Sequence, residues 1–408
     1  MKFSLNIYFF SLLFSSLTIN ADQKIPTPQK KKIAIFTSKG GGAHKSASQA
    51  ITYYLKNDYE ILIVNPFEDI FESLDPINRL SFNTVKGEDL YNFFLKNRWN
   101  RMINLLGDFG EYYTRTHQRR MIKCLQKYIQ NNKPDMIISV VPYTNSATFT
   151  VAKEYKVPFL IVPADMDART YILDINANDY EKFALSLPFD DSLLLEKIDE
   201  DLIPEERIKF LGFPLRSTFL EKKDKQKIKK EFSIPKDKKV IMILMGATGS
   251  SAVYSYVKKI SKSKLNLHLI VCIGREESLI EQLKKIKLPK NITTSVIGFT
   301  DKAADLMAIS DLLITKSGPT SLCEAIQMNL PVLIDNTSIS LKWEKISSEF
   351  VRKHDLGKVI TNFNQVNKFL EKLLKNEDEI KLIKDRMNNF KTKNFKTKLK
   401  TLVKEMIN

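Results

Sequence analysis

The sequence predicts two doubly wound α/β domains in tandem, their strand ends facing one cleft. Three observations carry this. The chain has 408 residues, too many for one ordinary core, and 43% of them are hydrophobic, enough for two. Short, uninterrupted apolar runs alternate with helical stretches in both halves, the pattern of parallel sheets buried on both faces. A Lys-rich break at 221–239, with Pro235 in it, separates the halves.

The elements follow in order. Lys32–Thr37 reads as a strand, followed by the glycine-rich turn Ser38–His44 and a helix over Lys45–Leu55. Glu60–Val64 is a second strand. Residues 68–131 are helical in pattern and rich in aromatics such as Phe93, Trp99 and Tyr112. Strands are expected at Asp135–Val141, Phe159–Pro163 and Phe183–Leu187, with a helix over Asn145–Tyr155. Beyond the break come strands at Val240–Met245, Leu267–Ile273, Thr293–Ile297, Leu312–Thr315 and Val332–Ile334. The chain closes with Lys-rich amphipathic helices over 363–376 and 378–407. The expected units are thus 32–220, 240–362 and a helical tail, 363–408.

Lys2 precedes a run, Phe3–Ile19, in which 11 of 17 residues are apolar or aromatic, and Ala21 could end a cleavage site. Residues 1–21 therefore read as a secretory signal peptide or a short uncleaved anchor. The polar, proline-containing stretch 22–31 reads as a linker. Lys plus Arg number 64 against 47 acidic residues, a formal net charge of +17. This excess is spread along the chain, so general solvation and attraction to an anionic membrane surface both account for it. A nucleic-acid partner is not expected. The cysteines, Cys124, Cys272 and Cys323, are few and far apart, which argues against a disulfide framework or a zinc site.

Two loops could carry chemistry. In Gly40–His44, adjacent glycines allow close backbone approach, and the helix that follows presents free N–H groups to an anion. His44 stands at that helix start, where imidazole could act as a base near neutral pH; it could equally be a surface residue at a tight turn. The segment Asp311–Ala325 reads strand, Gly318-Pro319 turn, helix start. Thr320 and Ser321 can offer hydroxyls and N–H groups to a diphosphate, and Glu324, one turn on, can accept from a ribose diol. The alternative there is a capping box between Ser321 and Glu324.

The stretch Lys316–Ala325 closely resembles the donor-site motif of the monogalactosyldiacylglycerol synthase family. That family groups with inverting two-Rossmann-domain (GT-B) transferases, as does the enzyme that adds N-acetylglucosamine to the peptidoglycan lipid precursor. Further matches stand in the same order: Gly41–Ala47, Asp135–Pro142, Ala164-Asp165, Leu211–Arg216 and Val296–Phe299. Together they span about residues 32–360. The resemblance implies an acceptor-binding first domain and a nucleotide-sugar-binding second domain. It implies His44 and Asp165 as catalytic groups and Gly41 and Gly42 as the acceptor-side loop. Gly246, Gly249, Ser250, Gly318, Thr320 and Ser321 would line the diphosphate, Phe299 the uracil and Glu324 the ribose. Glu344 would hold the sugar. No metal or cofactor is implied, the UDP-sugar being a substrate.

The departures are specific. Ala43 replaces a third glycine, Pro142 stands where the family has His, and the second-domain turn reads Gly246-Ala247-Thr248-Gly249. In the sugar-binding stretch Leu341–Ser347, Glu344 is retained, but Trp343 and Ser347 occupy the family's Gln and Asn positions. The hexose is therefore left open. The expected function is transfer of a hexose from a UDP-sugar to diacylglycerol or another membrane lipid, at the cytoplasmic face of a membrane. The alternatives are N-acetylglucosamine transfer to a polyprenyl-linked acceptor, a nucleotide-sugar epimerase, or a non-catalytic exported binding protein. A cleaved N-terminal segment, giving a periplasmic or secreted product, would favour the last.

Overall fold

The structure, a computed structural model, describes residues 30–81, 84–247 and 249–408. The signal-like or anchor segment 1–21 and residues 22–29 of the linker lie outside the described residues.

The apolar runs form two parallel sheets. The first contains β1 (Lys32–Phe36), β2 (Glu60–Val64), β3 (Met136–Ser139), β4 (Phe159–Ile161), β5 (Phe183–Leu187) and β6 (Ile208–Phe210), in spatial order β2-β1-β3-β4-β5-β6. The second contains β7 (Lys239–Leu244), β8 (Leu267–Gly274), β9 (Ile292–Gly298), β10 (Leu312–Lys316), β11 (Val332–Asp335) and β12 (Gly357–Ile360), in order β12-β11-β10-β7-β8-β9. Ile33, Ile35, Ile137, Ile138, Leu269 and Ile314 are fully buried, as residues of a sheet covered on both faces must be. Strand order reverses between β1 and β3 in one sheet and between β7 and β10 in the other. In such sheets a ligand crevice opens at the reversal, beyond the carboxyl ends of the strands.

The edge strands β6 and β12 were not expected from the sequence. They are short and carry lysines, Lys209 and Lys358, so the apolar signal is interrupted, as is common where a sheet edge meets water. The region 68–131 resolves into helices at Gly87–Lys96 and Asn100–Asn132 with shorter turns before them.

The expected closing helix is two helices, Glu377–Asn389 and Phe395–Ile407. Asn394, at φ 58°, adopts the left-handed conformation that asparagine tolerates and turns the chain between them. Ile383 and Met387 of the former pack in the second domain. Phe395, Leu399 and Val403 of the latter cross back and pack with Ile33, Ile35, Ile51 and Met136 under the first sheet. At the crossing, the Phe213 N–H donates to Thr392 Oγ1 at 3.1 Å. Gly212 is required there: at φ 97° it would place a Cβ 2.8 Å from Thr392 Cγ2.

Candidate functional site

The loop after β1 forms one wall. Gly41 has φ 69°, and Gly42 is the N-cap of the helix Ala43–Leu55. Its backbone rests on the helix Gly87–Lys96: the Gly41 N–H donates to Asn92 Oδ1 at 2.9 Å and the Lys39 N–H to Glu88 Oε1 at 2.8 Å. His44 Nδ1 lies 2.7 Å from the carbonyl of Val140, just beyond β3. A carbonyl only accepts, so Nδ1 carries the hydrogen and Nε2 is left with the lone pair. Burial lowers the imidazole pKa from its ordinary 6.5, against the Val140 bond and Glu88, which raise it. His44 is thus a neutral imidazole held in one tautomer.

Asp165 follows β4 and is 8% exposed. Tyr171 Oη donates to its Oδ2 at 2.7 Å. Burial is the main cause that pushes its pKa up to about 7; Glu344 and Asp167 add to this, while Tyr171 and Lys316 oppose it. The hydroxyls of Tyr91 and Tyr143 are raised chiefly by burial and further by the charge of Asp165, with Glu344 acting on Tyr91. Tyr143 holds a left-handed φ of 65°, its N–H donating to Thr170 O at 3.1 Å. Such strain in an aromatic residue persists only where the surroundings over-determine it.

The opposite wall belongs to the second domain. Beyond β7, Gly246 and Gly249 take φ 88° and 80°. A Cβ on Gly249 would lie 2.3 Å from the Ile273 carbonyl, so only glycine fits. Ser250 Oγ accepts from the Ala252 N–H at the start of the helix Ala252–Ile260. Beyond β10, Gly318 caps the helix Pro319–Gln327 with Pro319 at its first position. Thr320 and Ser321 lie in the first turn, where N–H groups lack helical partners. The Thr320 hydroxyl is a buried oxygen with no partner among the described residues.

The capping box is not adopted. Glu324, 4% exposed, accepts from Arg216 Nη2 at 3.0 Å. Burial raises its pKa and Arg216 opposes the rise. Lys316 Nζ bonds Glu344 Oε1 at 2.7 Å, and Ser317 Oγ lies 3.5 Å from Oε2. Phe299, 59% exposed just beyond β9, is covered by the Arg275 guanidinium at 4.4 Å.

The two walls meet. A Cβ on Gly42 would stand 3.6 Å from Ala247 Cβ, so the loops after β1 and β7 face each other across the crevice. The segment Asn336–Glu344 is clamped by the start of the helix Asn100–Asn132. Arg98 Nη2 donates to Asp335 Oδ2 at 3.2 Å and Ser338 Oγ at 3.0 Å. Asn100 and Asn104 donate to the Ile339 and Ser340 carbonyls. The Lys342 N–H donates to Asn104 Oδ1 at 3.0 Å, and its ammonium pairs with Asp108. The Trp343 ring lies against Gly107. Lys345, Ser348 and Arg352 line a cavity of about 600 Å³ with that segment.

The structure thus brings Asp165, Glu344 and Gly318 together around Lys316, with the His44 loop opposite. Glu324 lies deeper, against Arg216, and Phe299 at the rim. Tyr91, Tyr143 and Lys316 were not singled out as site residues from the sequence, though Lys316 stands inside the quoted motif. Among the described residues no group of three or more His, Cys, Asp or Glu is placed to hold a metal ion, and the three cysteines are free.

Residues 181–338 match the lipid-A-disaccharide synthetase family. The chain is similar to the processive diacylglycerol beta-glucosyltransferase of Staphylococcus epidermidis, 24% identical over 375 residues and 88% of each chain. It is 23% identical to that of Bacillus pumilus, over 92% of this chain and 94% of the relative. Among solved structures, Acinetobacter baumannii MurG superposes with a TM-score of 0.58 at 13% identity, over 92% of this chain and 99% of the other. The fold is of the GT-B type.

Proposed function

We propose that this protein is an inverting glycosyltransferase that moves a hexose from a UDP-sugar to diacylglycerol or another membrane lipid acceptor. One observation carries the reading: a neutral histidine with a free Nε2 lone pair lies at one sheet reversal, and a glycine-capped helix N-terminus beside a lysine lies at the facing reversal. The first can take a proton and the second a diphosphate. The similarity to diacylglycerol glucosyltransferases, over 88% and 92% of this chain, supports the acceptor class.

In this reading the acceptor hydroxyl oxygen attacks the anomeric carbon from the side of the His44 loop. The bond from that carbon to the diphosphate oxygen breaks, and its electron pair leaves with UDP. The hydroxyl proton passes to His44 Nε2, and the anomeric configuration inverts. Lys316 and the N–H groups of Thr320 and Ser321 receive the leaving charge. Gly246, Gly249 and Ser250 border the same phosphates. Glu324, oriented by Arg216, accepts from the ribose, and Phe299 stacks on the base with Arg275 behind it. Glu344 holds the hexose. Asp165, largely protonated below pH 7, is a hydrogen-bond partner for acceptor or sugar rather than a second strong base. The enzyme would work at the cytoplasmic face of a membrane, where nucleotide sugars are made.

The test is UDP release by the full chain with diacylglycerol-containing anionic vesicles and UDP-galactose, UDP-glucose or UDP-N-acetylglucosamine. Lipid-dependent release with one donor is expected. Binding of UDP without release from any donor would overturn the reading in favour of a binding protein.

A further inference from the structure

The helix Gly87–Lys96 lies outside the large hydrophobic clusters of both domains. Its apolar residues Leu90, Tyr91, Phe94 and Leu95 form a small separate cluster with Ile103 of the first domain and Leu341 and Trp343 of the second. Glu88, Asn92 and Lys96 recur every four residues, so they share one face of the helix. That face meets a loop from each domain.

At one end it carries the His44 loop. Glycines restrict their own backbone least of all residues, so the position of Gly40-Gly41-Gly42 must be supplied from outside the loop. Side chains of this helix supply it. Asn92 is bonded twice: its Oδ1 accepts from the Gly41 N–H at 2.9 Å, and its Nδ2 donates to the Lys39 carbonyl at 3.3 Å. Glu88 accepts from the Lys39 N–H through Oε1, and from Asn65 Nδ2 at 2.9 Å through Oε2. The Tyr91 ring covers the glycines: a Cβ on Gly40 would stand 3.7 Å from it. At the other end, Lys96 Nζ pairs across the cleft with Glu276 Oε2 at 2.9 Å. Glu276 lies against the donor-side turn, since a Cβ on Gly249 would stand 2.8 Å from Glu276 Cβ. One short helix thus touches both the loop that carries the base and the turn assigned to the diphosphate.

We infer that the helix Gly87–Lys96 is a strut that sets the His44 loop against the donor turn, with Asn92 as its positioning residue. The inference rests on the transfer reaction proposed above, in which His44 must stand within reach of the acceptor hydroxyl. Asn92 acts through the backbone of Lys39 and Gly41, not on the reacting atoms. Without it the glycine loop loses both of these bonds and water reaches His44. A hydrated imidazole returns towards its ordinary pKa of 6.5, because burial is the main cause that holds it lower. The Lys96–Glu276 pair is half-exposed on the lysine side, so its share is the smaller one.

Asn92→Leu removes both bonds at similar volume. In the full chain it should lower kcat about 10- to 100-fold, the cost of a misplaced catalytic group, with UDP affinity unchanged. The acid limb of kcat/KM should move up towards pH 6.5. Asn92→Asp, which keeps an acceptor for the Gly41 N–H, should recover most of kcat on the alkaline plateau, where His44 is neutral in every variant. Lys96→Met should lower kcat about two- to fivefold in the wild type and have little further effect in Asn92→Leu, where the strut is already cut. An unchanged kcat in Asn92→Leu would overturn the proposal, as would a loss that leaves the acid limb in place or that Asn92→Asp does not recover. Equal reductions by Lys96→Met in both backgrounds would do the same. His44 can also be followed without turnover, by nuclear magnetic resonance of isotope-labelled histidine, its signal among the four histidines being the one missing in His44→Ala. A raised His44 pKa in Asn92→Leu, in a chain that consumes no donor, would leave the strut standing and remove the transferase reading; donor consumption with an unmoved His44 pKa would do the reverse.

Discussion

Replacing Asp165 by asparagine tests the electrostatics of the cleft through folding. The Asp165→Asn side chain would keep the shape and an oxygen to accept from Tyr171 Oη, but removes the titration. A carboxyl whose pKa rises from 3.8 to about 7 on folding binds more protons in the folded chain than in the unfolded one. Its protonated form therefore stabilises the fold at low pH, and this is lost as pH climbs from about 4 to about 7 at ~1.4 kcal/mol per unit. The whole penalty is of order 4 kcal/mol above pH 7, of which about 3 kcal/mol falls between pH 5 and pH 8. Asp165→Asn should thus gain stability relative to wild type by up to about 3 kcal/mol on going from pH 5 to pH 8. Urea unfolding of both proteins at the two pH values measures this, using the transition that reports the first domain. A difference between variant and wild type that does not change with pH would refute the buried, proton-holding carboxyl.

His44→Ala should lower turnover ~100-fold or more and leave UDP affinity unchanged, as isothermal titration would show. In the wild type the acid limb of kcat/KM should lie below pH 6.5, because burial lowers the His44 pKa and activity is lost as Nε2 gains its proton; a limb above pH 6.5 would contradict the assignment. Arg216→Met, by leaving Glu324 buried and unpaired, should cost about 3 kcal/mol in urea unfolding, and adding Glu324→Leu should recover most of it while abolishing UDP binding. Leu399→Ala should destabilise the first domain by ~2–5 kcal/mol although it lies near the end of the chain, seen as a shift in the unfolding of that domain.

Strands such as β1 and β8 are legible in the sequence because parallel strands covered on both faces need unbroken apolar runs. The edge strands β6 and β12 escape because Lys209 and Lys358 interrupt theirs. The glycine loops are legible for a similar reason, since positive φ and close approach leave few residue choices. Whether Glu324 caps its own helix or pairs elsewhere is undecidable locally: the deciding partner, Arg216, lies over a hundred positions earlier. The same holds for Arg98 with Asp335 and for Tyr91 and Tyr143 beside Asp165. Side chains that converge only through tertiary packing leave no periodicity to read. The break at Asn394 was missed because the helical pattern runs on either side of it.

The return of Phe395–Ile407 to the first sheet has a consequence for how the protein is made. A nascent chain at about 5–20 residues per second needs ~10–40 s to pass from Leu211 to Leu402. For that time Ile33, Ile35 and Met136 lack the helix that covers them, even though every strand of their sheet has emerged. The first domain to be synthesised is thus the last to be sealed, and the second must fold beside an open apolar face. Chaperone dependence should therefore track the final segment: ribosome-bound chains ending before residue 395 should remain protease-sensitive in the first domain, and become resistant once that helix clears the exit tunnel.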